Sequence, residues 1–259
     1  MAGDIRLYKR PRLQAPAMLA AWPGIGNVSL IVCRYLQEKL GAQEMGEIKP
    51  FPYFEPTGVW VANNVVESPQ FPESKFYYWK RGRGGGDLIF FIGDAQPLSK
   101  GYELAGSVLE VAQAFKVERV YTCAAAIAPV HHSEKPKVWA VATEESLLSE
   151  LKKYPVVLRG DLQIAGLNGL LLGVAKEKGL QGICLLGEVP SYATRIDNPK
   201  ASLAVLEVLT PILGIDIDLT ELRQAAVEAE REMKRMAGEA MSQFIDHFTV
   251  PYWEREEEE

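Results

Sequence analysis

Ala17-Met18-Leu19-Ala20-Ala21-Trp22-Pro23-Gly24-Ile25-Gly26-Asn27-Val28-Ser29-Leu30-Ile31-Val32-Cys33-Arg34-Tyr35-Leu36 reads as strand, glycine turn and helix. Ala17 to Trp22 is a short apolar run closed by Pro23-Gly24, the pattern of a strand buried on both faces. Beyond the turn the period changes. Val28, Ile31, Val32, Tyr35, Leu36 and Leu40 recur at three- and four-residue steps and form one stripe of a helix. Gly41 is placed to end it. A buried strand feeding a helix is half of a βαβ unit, and the same order recurs downstream.

The turn carries two readings. Gly24-x-Gly26 matches the first two glycines of the dinucleotide fingerprint, Ser29 stands at the third, and Glu44 or Glu47 lies near where a ribose-binding acid belongs. Glycines there let a backbone approach a phosphate at a helix N-terminus. The other reading is a turn that needs positive φ and close helix–strand packing.

The chain of 259 residues is 47% hydrophobic and 24% charged, an ordinary globular composition long enough for a full core. Its net charge of −6 argues against nucleic-acid binding, which needs a basic surface. No apolar run reaches membrane-spanning length, and the polar stretch Met1 to Arg12 lacks a signal-peptide core. Cys33, Cys123 and Cys184 lie far apart in apolar runs, so buried free thiols and a cytoplasmic location are expected.

Outward from the opening unit, residues 1–16 read as an arm or edge strand, and Gln43 to Ile48 as a second strand. Pro50-Phe51-Pro52-Tyr53-Phe54-Glu55-Pro56 excludes a helix and reads as an aromatic loop or contact surface. Val59 to Val66 and Lys75 to Trp79 read as strands of an antiparallel part. Arg81-Gly82-Arg83-Gly84-Gly85-Gly86 precedes a strand and lacks phosphate-loop spacing, so it reads as a flexible turn.

Asp87 to Gly93 is the clearest strand and looks central. Ser99 is expected to cap the next helix, with a buried stripe from Tyr102 to Phe115. Arg119 to Ala124 and Val138 to Thr143 read as strands, with Thr143 a cap for Glu144 to Lys153. Gly166 to Lys178 reads as a helix whose Gly169 and Gly173 share a face. Gly182 to Gly187 is a further buried strand, and Asn198 caps a helix opened by Pro199. Ala17–Trp22, Leu88–Ile92, Val120–Ala124 and Ile183–Leu186 are the predicted central strands of a three-layer α/β/α sandwich with a mixed, mostly parallel sheet.

The expected organisation is an α/β/α core over 1–217, a long helix over 218–253 and an acidic tail over 254–259. Leu222, Ala226, Ala229, Met233, Met236, Ala240, Phe244 and Phe248 repeat at three- and four-residue steps along that helix, a seam near the 3.5-residue period. At a rise of 1.5 Å per residue the helix would run about 45 Å. Its opposite face is charged, so the stripe needs a cover. Self-association through Leu222, Ala229, Met233, Met236 and Phe244 is expected.

These features together resemble the proteasome-assembly-chaperone family, the archaeal and bacterial relatives of the second eukaryotic assembly chaperone. The matching segments are Trp22-Pro23-Gly24-Ile25-Gly26-Asn27-Val28, Asp87-Leu88-Ile89, Gly93-Asp94-Ala95-Gln96-Pro97 and Val120-Tyr121-Thr122. They continue through Ile164 to Gly173, Gly182 to Glu188, Asp197-Asn198-Pro199-Lys200-Ala201-Ser202 and Leu213-Gly214-Ile215-Asp216-Ile217. The resemblance implies a nucleoside-phosphorylase-like α/β/α fold and a homo-oligomer, trimeric or higher. For some members it implies proteasome subunits as clients, and some relatives carry an ATP-grasp ligase label by similarity. Two departures stand out. Ala124-Ala125-Ala126 replaces a glycine pair usual after the Tyr-Thr strand, and Pro251-Tyr252-Trp253 only loosely resembles the terminal tripeptide by which some archaeal members dock, with six residues following it.

No Walker lysine motif, HExxH, GxSxG or CxxC is present, so no catalytic residue and no cofactor is named. His131 and His132 are adjacent and diverge in extended chain, so no metal site is expected there. If the sheet is parallel at its centre, its strand exits share a rim where open α/β sheets bind ligands. That rim would collect Gly24, Gly26, Asn27, Asp94, Gln96, His131, His132, Glu188 and Tyr192. Two functions follow. One is a non-catalytic oligomeric protein that binds protein partners or assists complex assembly. The other is an enzyme or sensor that takes a small metabolite or nucleotide at the rim.

Overall fold

The computed structural model describes residues 4–82 and 84–249. In chain order the strands and helices are β1 (Ile5–Leu7), β2 (Ala17–Ala21), α1 (Val28–Lys39), β3 (Gln43–Ile48), β4 (Val61–Ala62) and β5 (Val65–Val66). There follow β6 (Ser74–Trp79), β7 (Leu88–Gly93), α2 (Gly101–Ala114), β8 (Arg119–Ala128), β9 (Val138–Ala142) and α3 (Glu145–Leu151). The last are β10 (Val156–Val157), α4 (Leu167–Glu177), β11 (Gln181–Pro190), α5 (Pro199–Leu213) and α6 (Thr220–Thr249).

Nine strands form one sheet in the order β1-β3-β6-β7-β2-β8-β11-β9-β10. The central four, β7-β2-β8-β11, are all parallel. On the flanks, β6 runs antiparallel to β7, β3 to β6 and β9 to β11. The four strands expected at the centre are the four found there. β1 is the edge strand anticipated near the N-terminus, and it pairs with β3.

Alternation along β2 sorts the two faces, because successive strand side chains point to opposite sides of a sheet. Leu19 and Ala21 face a core built with α1, α3, α5 and the start of α6, while Met18, Ala20 and Trp22 face one built with α2 and α4. The result is helices on both sides of one sheet, the three-layer sandwich expected. Asn198 accepts the Ala201 N–H at 2.9 Å at the head of α5, with Pro199 at the first helical position as anticipated.

Several local expectations are corrected. Val59 to Val66 is not one strand of the main sheet but a separate hairpin of β4 and β5. Asn63 and Asn64 both take positive φ, 49° and 62°, and turn the chain back on itself. Ser99 caps no helix, since α2 starts at Gly101 with Lys100 at the cap position. Thr143 serves the sheet instead of α3: its Oγ1 accepts the Gly182 N–H at 2.9 Å. β8 and β11 also run further than expected, paired continuously to Ala128 and Pro190. Glu188 therefore lies within a strand rather than in its exit loop.

The glycine-rich turn after Trp79 has a structural use. The Arg81 Nη2 donates to the Leu213 carbonyl at 2.6 Å, at the C-terminal end of α5 where a cation is favourable. Arg83, the side chains of Ala240, Phe244 and Phe248, and the segment from Pro251 to the acidic tail lie outside the described residues.

Candidate functional site

The parallel strands place the exits of β2, β7, β8 and β11 at one edge of the sheet, and the nine rim residues lie along that edge. The structure does not gather them round one concavity. It distributes them among separate environments.

Gly24 and Gln96 line a cleft of about 650 Å³. Gln96 is a bridge: its Nε2 donates to the Pro23 carbonyl at 2.6 Å, and its Oε1 accepts the Leu167 N–H at 2.8 Å. Gly26 has φ 60°, and a Cβ there would stand 2.9 Å from the Asn198 Cβ. The Asn198 N–H donates to the Gly26 carbonyl at 2.8 Å. The glycines of this turn thus serve close packing against the start of α5. Asn27 donates to Asp197 at 2.7 Å, which puts an acid beside the turn.

Asp94 points away towards α1 and pairs with Arg34 at 2.9 Å. Glu188 is buried and fully employed by β9: its Oε2 accepts the Lys137 N–H at 3.0 Å and its Oε1 the Trp139 indole N–H at 2.9 Å.

The cleft also holds Asn168, whose role the sequence reading did not single out, and Ser29, which stands at the third fingerprint position. Asn168 Oδ1 accepts from the Trp22 N–H and from the Ser29 hydroxyl, both at 3.1 Å, while its Nδ2 donates to the Trp22 carbonyl at 3.1 Å. A lone asparagine at the head of the apolar α4, after a glycine, was the available signal. The remaining walls are Ile25, Ala124 to Ile127, Leu162 to Gly166 and Leu186. No charged side chain lines the cleft; Ser29, Gln96 and Asn168 bond within the protein, and Gln163 is an exposed polar residue of its wall. This is an apolar recess rather than a phosphate or nucleotide cradle.

The histidines form a different corner with almost no free space, about 10 Å³. Their rings lie 3.9 Å apart, centre to centre. The Tyr192 hydroxyl accepts the His132 N–H at 2.9 Å and stands 3.0 Å from its Nδ1. The His132 carbonyl accepts from Lys200, and Lys200 pairs with Glu230 of α6 at 2.6 Å. Among the described residues, no group of three His, Cys, Asp or Glu is arranged to hold a metal ion.

Burial and the neighbouring His131 hold the His132 pKa below the ordinary imidazole value, with Lys200 and Lys234 adding to this and Glu230 opposing it. A folded-state pKa below the unfolded one means that stability is fully present above about pH 6.5 and declines as the pH falls below it. The melting temperature is therefore expected to fall between pH 6.5 and 5, and to fall less steeply in His132→Gln, which keeps a neutral amide. Parallel curves for the two proteins would remove His132 from the account.

Cys33, Cys123 and Cys184 are free and buried, as their spacing predicts. Burial raises all three thiols, Cys184 to about 12, which makes them poor nucleophiles.

Two surfaces remain. Every residue from 55 to 71, the β4–β5 arm and its stems, is exposed. On α6, Leu222, Ala226 and Met233 are buried against the chain's own α5, while Ala229 and Met236 are half-buried and Met241 is 60% exposed. Leu222 and Met233 are thus removed from the contact between copies expected from the sequence, because intramolecular packing uses them. The Phe244 side chain lies outside the described residues. Among the described residues, no helix is long and apolar enough to cross a membrane.

Comparison with known proteins adds an independent line. The model of the PAC2 family matches residues 18–237. An uncharacterised protein of Methanocaldococcus jannaschii is 27% identical over 227 residues, covering 86% of this chain and 84% of its own. Pyrococcus furiosus PbaB, described as an archaeal proteasome activator, matches with a TM-score of 0.78 at 34% identity, covering 90% of this chain and 98% of that one. Pyrococcus furiosus PbaA, described as an archaeal homolog of proteasome-assembly chaperone, matches with a TM-score of 0.69 at 24% identity, covering 90% and 96%. At that identity the second match speaks for the fold alone.

Proposed function

The chain belongs to the PAC2 family, and on that footing we propose that it is a non-catalytic, self-associating protein that binds proteasome subunits or assembled proteasome and assists their assembly or activity. The observation that carries this reading is the 34% identity to PbaB over nearly the whole of both chains. The site chemistry supports it. The rim acids Asp94 and Glu188 are held by Arg34 and by the Lys137 and Trp139 N–H groups, the thiols are held protonated, and the cleft of about 650 Å³ has no charged side chain in its lining. What the surface offers is apolar side chains on an arm and on a helix, the material of protein contacts.

The test is affinity capture with the purified protein as bait. Proteasome α-type subunits, β-type subunits and the assembled core particle from the same cells are offered separately. Retention of at least one of the three at physiological salt is the expected result. If none is retained, the proteasome reading fails. A thermal-shift screen against metabolites and nucleotides runs beside it, since a ligand at 100 times its dissociation constant adds about 2.7 kcal/mol. A strong, saturable shift with no subunit retained would favour a metabolite sensor instead.

A further inference from the structure

We propose that the β4–β5 arm of one copy seats in the apolar cleft of a second copy, with Trp60 as its anchor. This rests on the self-association proposed above and names the surfaces that carry it.

An isolated two-stranded hairpin is at best marginally stable in water, so an arm of this kind needs a cover. Its own chain does not supply one, since the whole of 55–71 is exposed. The apolar side chains are large and open: Trp60 is 70% exposed, Val65 67%, Val66 64% and Val61 59%. Val61 pairs with Val66 and Ala62 with Val65, so Trp60 and Val65 share one face of the hairpin and Val61 and Val66 the other; Trp60 and Val65 are the pair that one recess can take.

The cleft is the matching surface. At about 650 Å³ it can take an indole with a flanking valine, and Ile25, Ile127 and Leu162 form an exposed apolar lip. Charge decides for a second copy of this chain. Each copy carries a net charge of −6, so most pairs of surfaces repel. The stretch from Pro56 to Val66 holds no charged residue, and none lines the cleft. These two neutral surfaces can meet with Glu67, which is exposed and donates its N–H to the Trp60 carbonyl, kept at the solvent-facing rim of the contact. A knob on one side and a recess on the other make a head-to-tail contact, which closes into a ring or continues as a chain of copies.

Light scattering on three proteins tests this: the intact chain, Trp60→Asp, which disables the arm, and Ile127→Asp, which disables the cleft lip. Both side chains are exposed, so folding should survive, and circular dichroism and melting temperature check it. The intact chain is expected at a multiple of 28.7 kDa and each variant at that monomer mass. An equimolar mixture of the two variants is expected to form one two-chain species, because an intact arm meets an intact cleft once. A monomeric intact protein overturns both this contact and the self-association behind it. An oligomer that neither substitution disturbs overturns the arm–cleft contact alone. Variants that are both monomeric yet fail to pair on mixing also overturn it, since an intact arm and an intact cleft are then both present without joining, and a monomeric Trp60→Asp beside an oligomeric Ile127→Asp overturns it in favour of arm meeting arm.

Discussion

Replacing Asn168 with alanine is expected to cost ~4 kcal/mol and lower the melting temperature by roughly 10 °C. The reason is the number of buried groups that one side chain satisfies. Asn168 is 4% exposed and holds both the N–H and the carbonyl of Trp22, together with the Ser29 hydroxyl. Trp22 is fully buried where β2 gives way to the glycine turn, and no other hydrogen bond to its N–H or carbonyl is seen among the described residues. A buried backbone group left without a partner costs ~1–3 kcal/mol, and the substitution strands two. Ser29→Ala is the control. It deletes one hydroxyl and leaves both Trp22 bonds in place, so ~1 kcal/mol is expected. Thermal melts of the three proteins decide the matter. If Asn168→Ala melts no lower than Ser29→Ala, the side chain does not bolt the turn to α4.

That bolt also shows where sequence reading reaches and where it stops. β2, β7, β8 and β11 were legible because a strand buried on both faces must be apolar throughout, and Leu88 to Ile92 is such a run. The turn after Trp22 was legible as punctuation, but its purpose was not. Whether Gly26 approaches a ligand or a neighbouring element depends on Asn198, far along the chain. The same holds for the polar rim. Asp94 reads as a strand-exit acid until Arg34 is found beside it, and Glu188 until Trp139 is. Long-range hydrogen bonds leave no periodic trace in a sequence. The β4–β5 arm was misread because Val59 to Val66 has the composition of a strand, and the turn in its middle is Asn-Asn rather than the stronger Asn-Gly.

The second large effect is expected from Met233→Glu, and it should be local to α6. The seam along this helix was legible from spacing, but the division of the seam was not. Its first part is closed by the chain itself. Leu222, Ala226 and Met233 are 4%, 6% and 1% exposed, and Met233 lies against Asn198, with its sulfur 3.7 Å from the Nδ2. Ion pairs from Lys39 to Glu221 at 2.7 Å and from Lys200 to Glu230 at 2.6 Å flank the contact. Burying a carboxylate in place of the thioether forfeits ~2 kcal/mol of apolar burial and adds several kcal/mol of desolvation. The helix escapes that penalty by leaving its seat, so the loss is capped by the free energy of undocking α6. Hydrogen exchange should show the amides from about residue 220 onward losing protection while β2 and β8 keep theirs. Met236→Glu provides the contrast. Met236 is only half-buried, and its charged form can turn to solvent, so stability should change by no more than ~0.5 kcal/mol. Equal loss of protection in the two variants would mean that Met233 is not the residue that seats the helix. A drop in assembly mass confined to Met236→Glu would add α6 to the surfaces that join the copies. Met233→Glu cannot report on that question, because it disturbs the chain's own packing first.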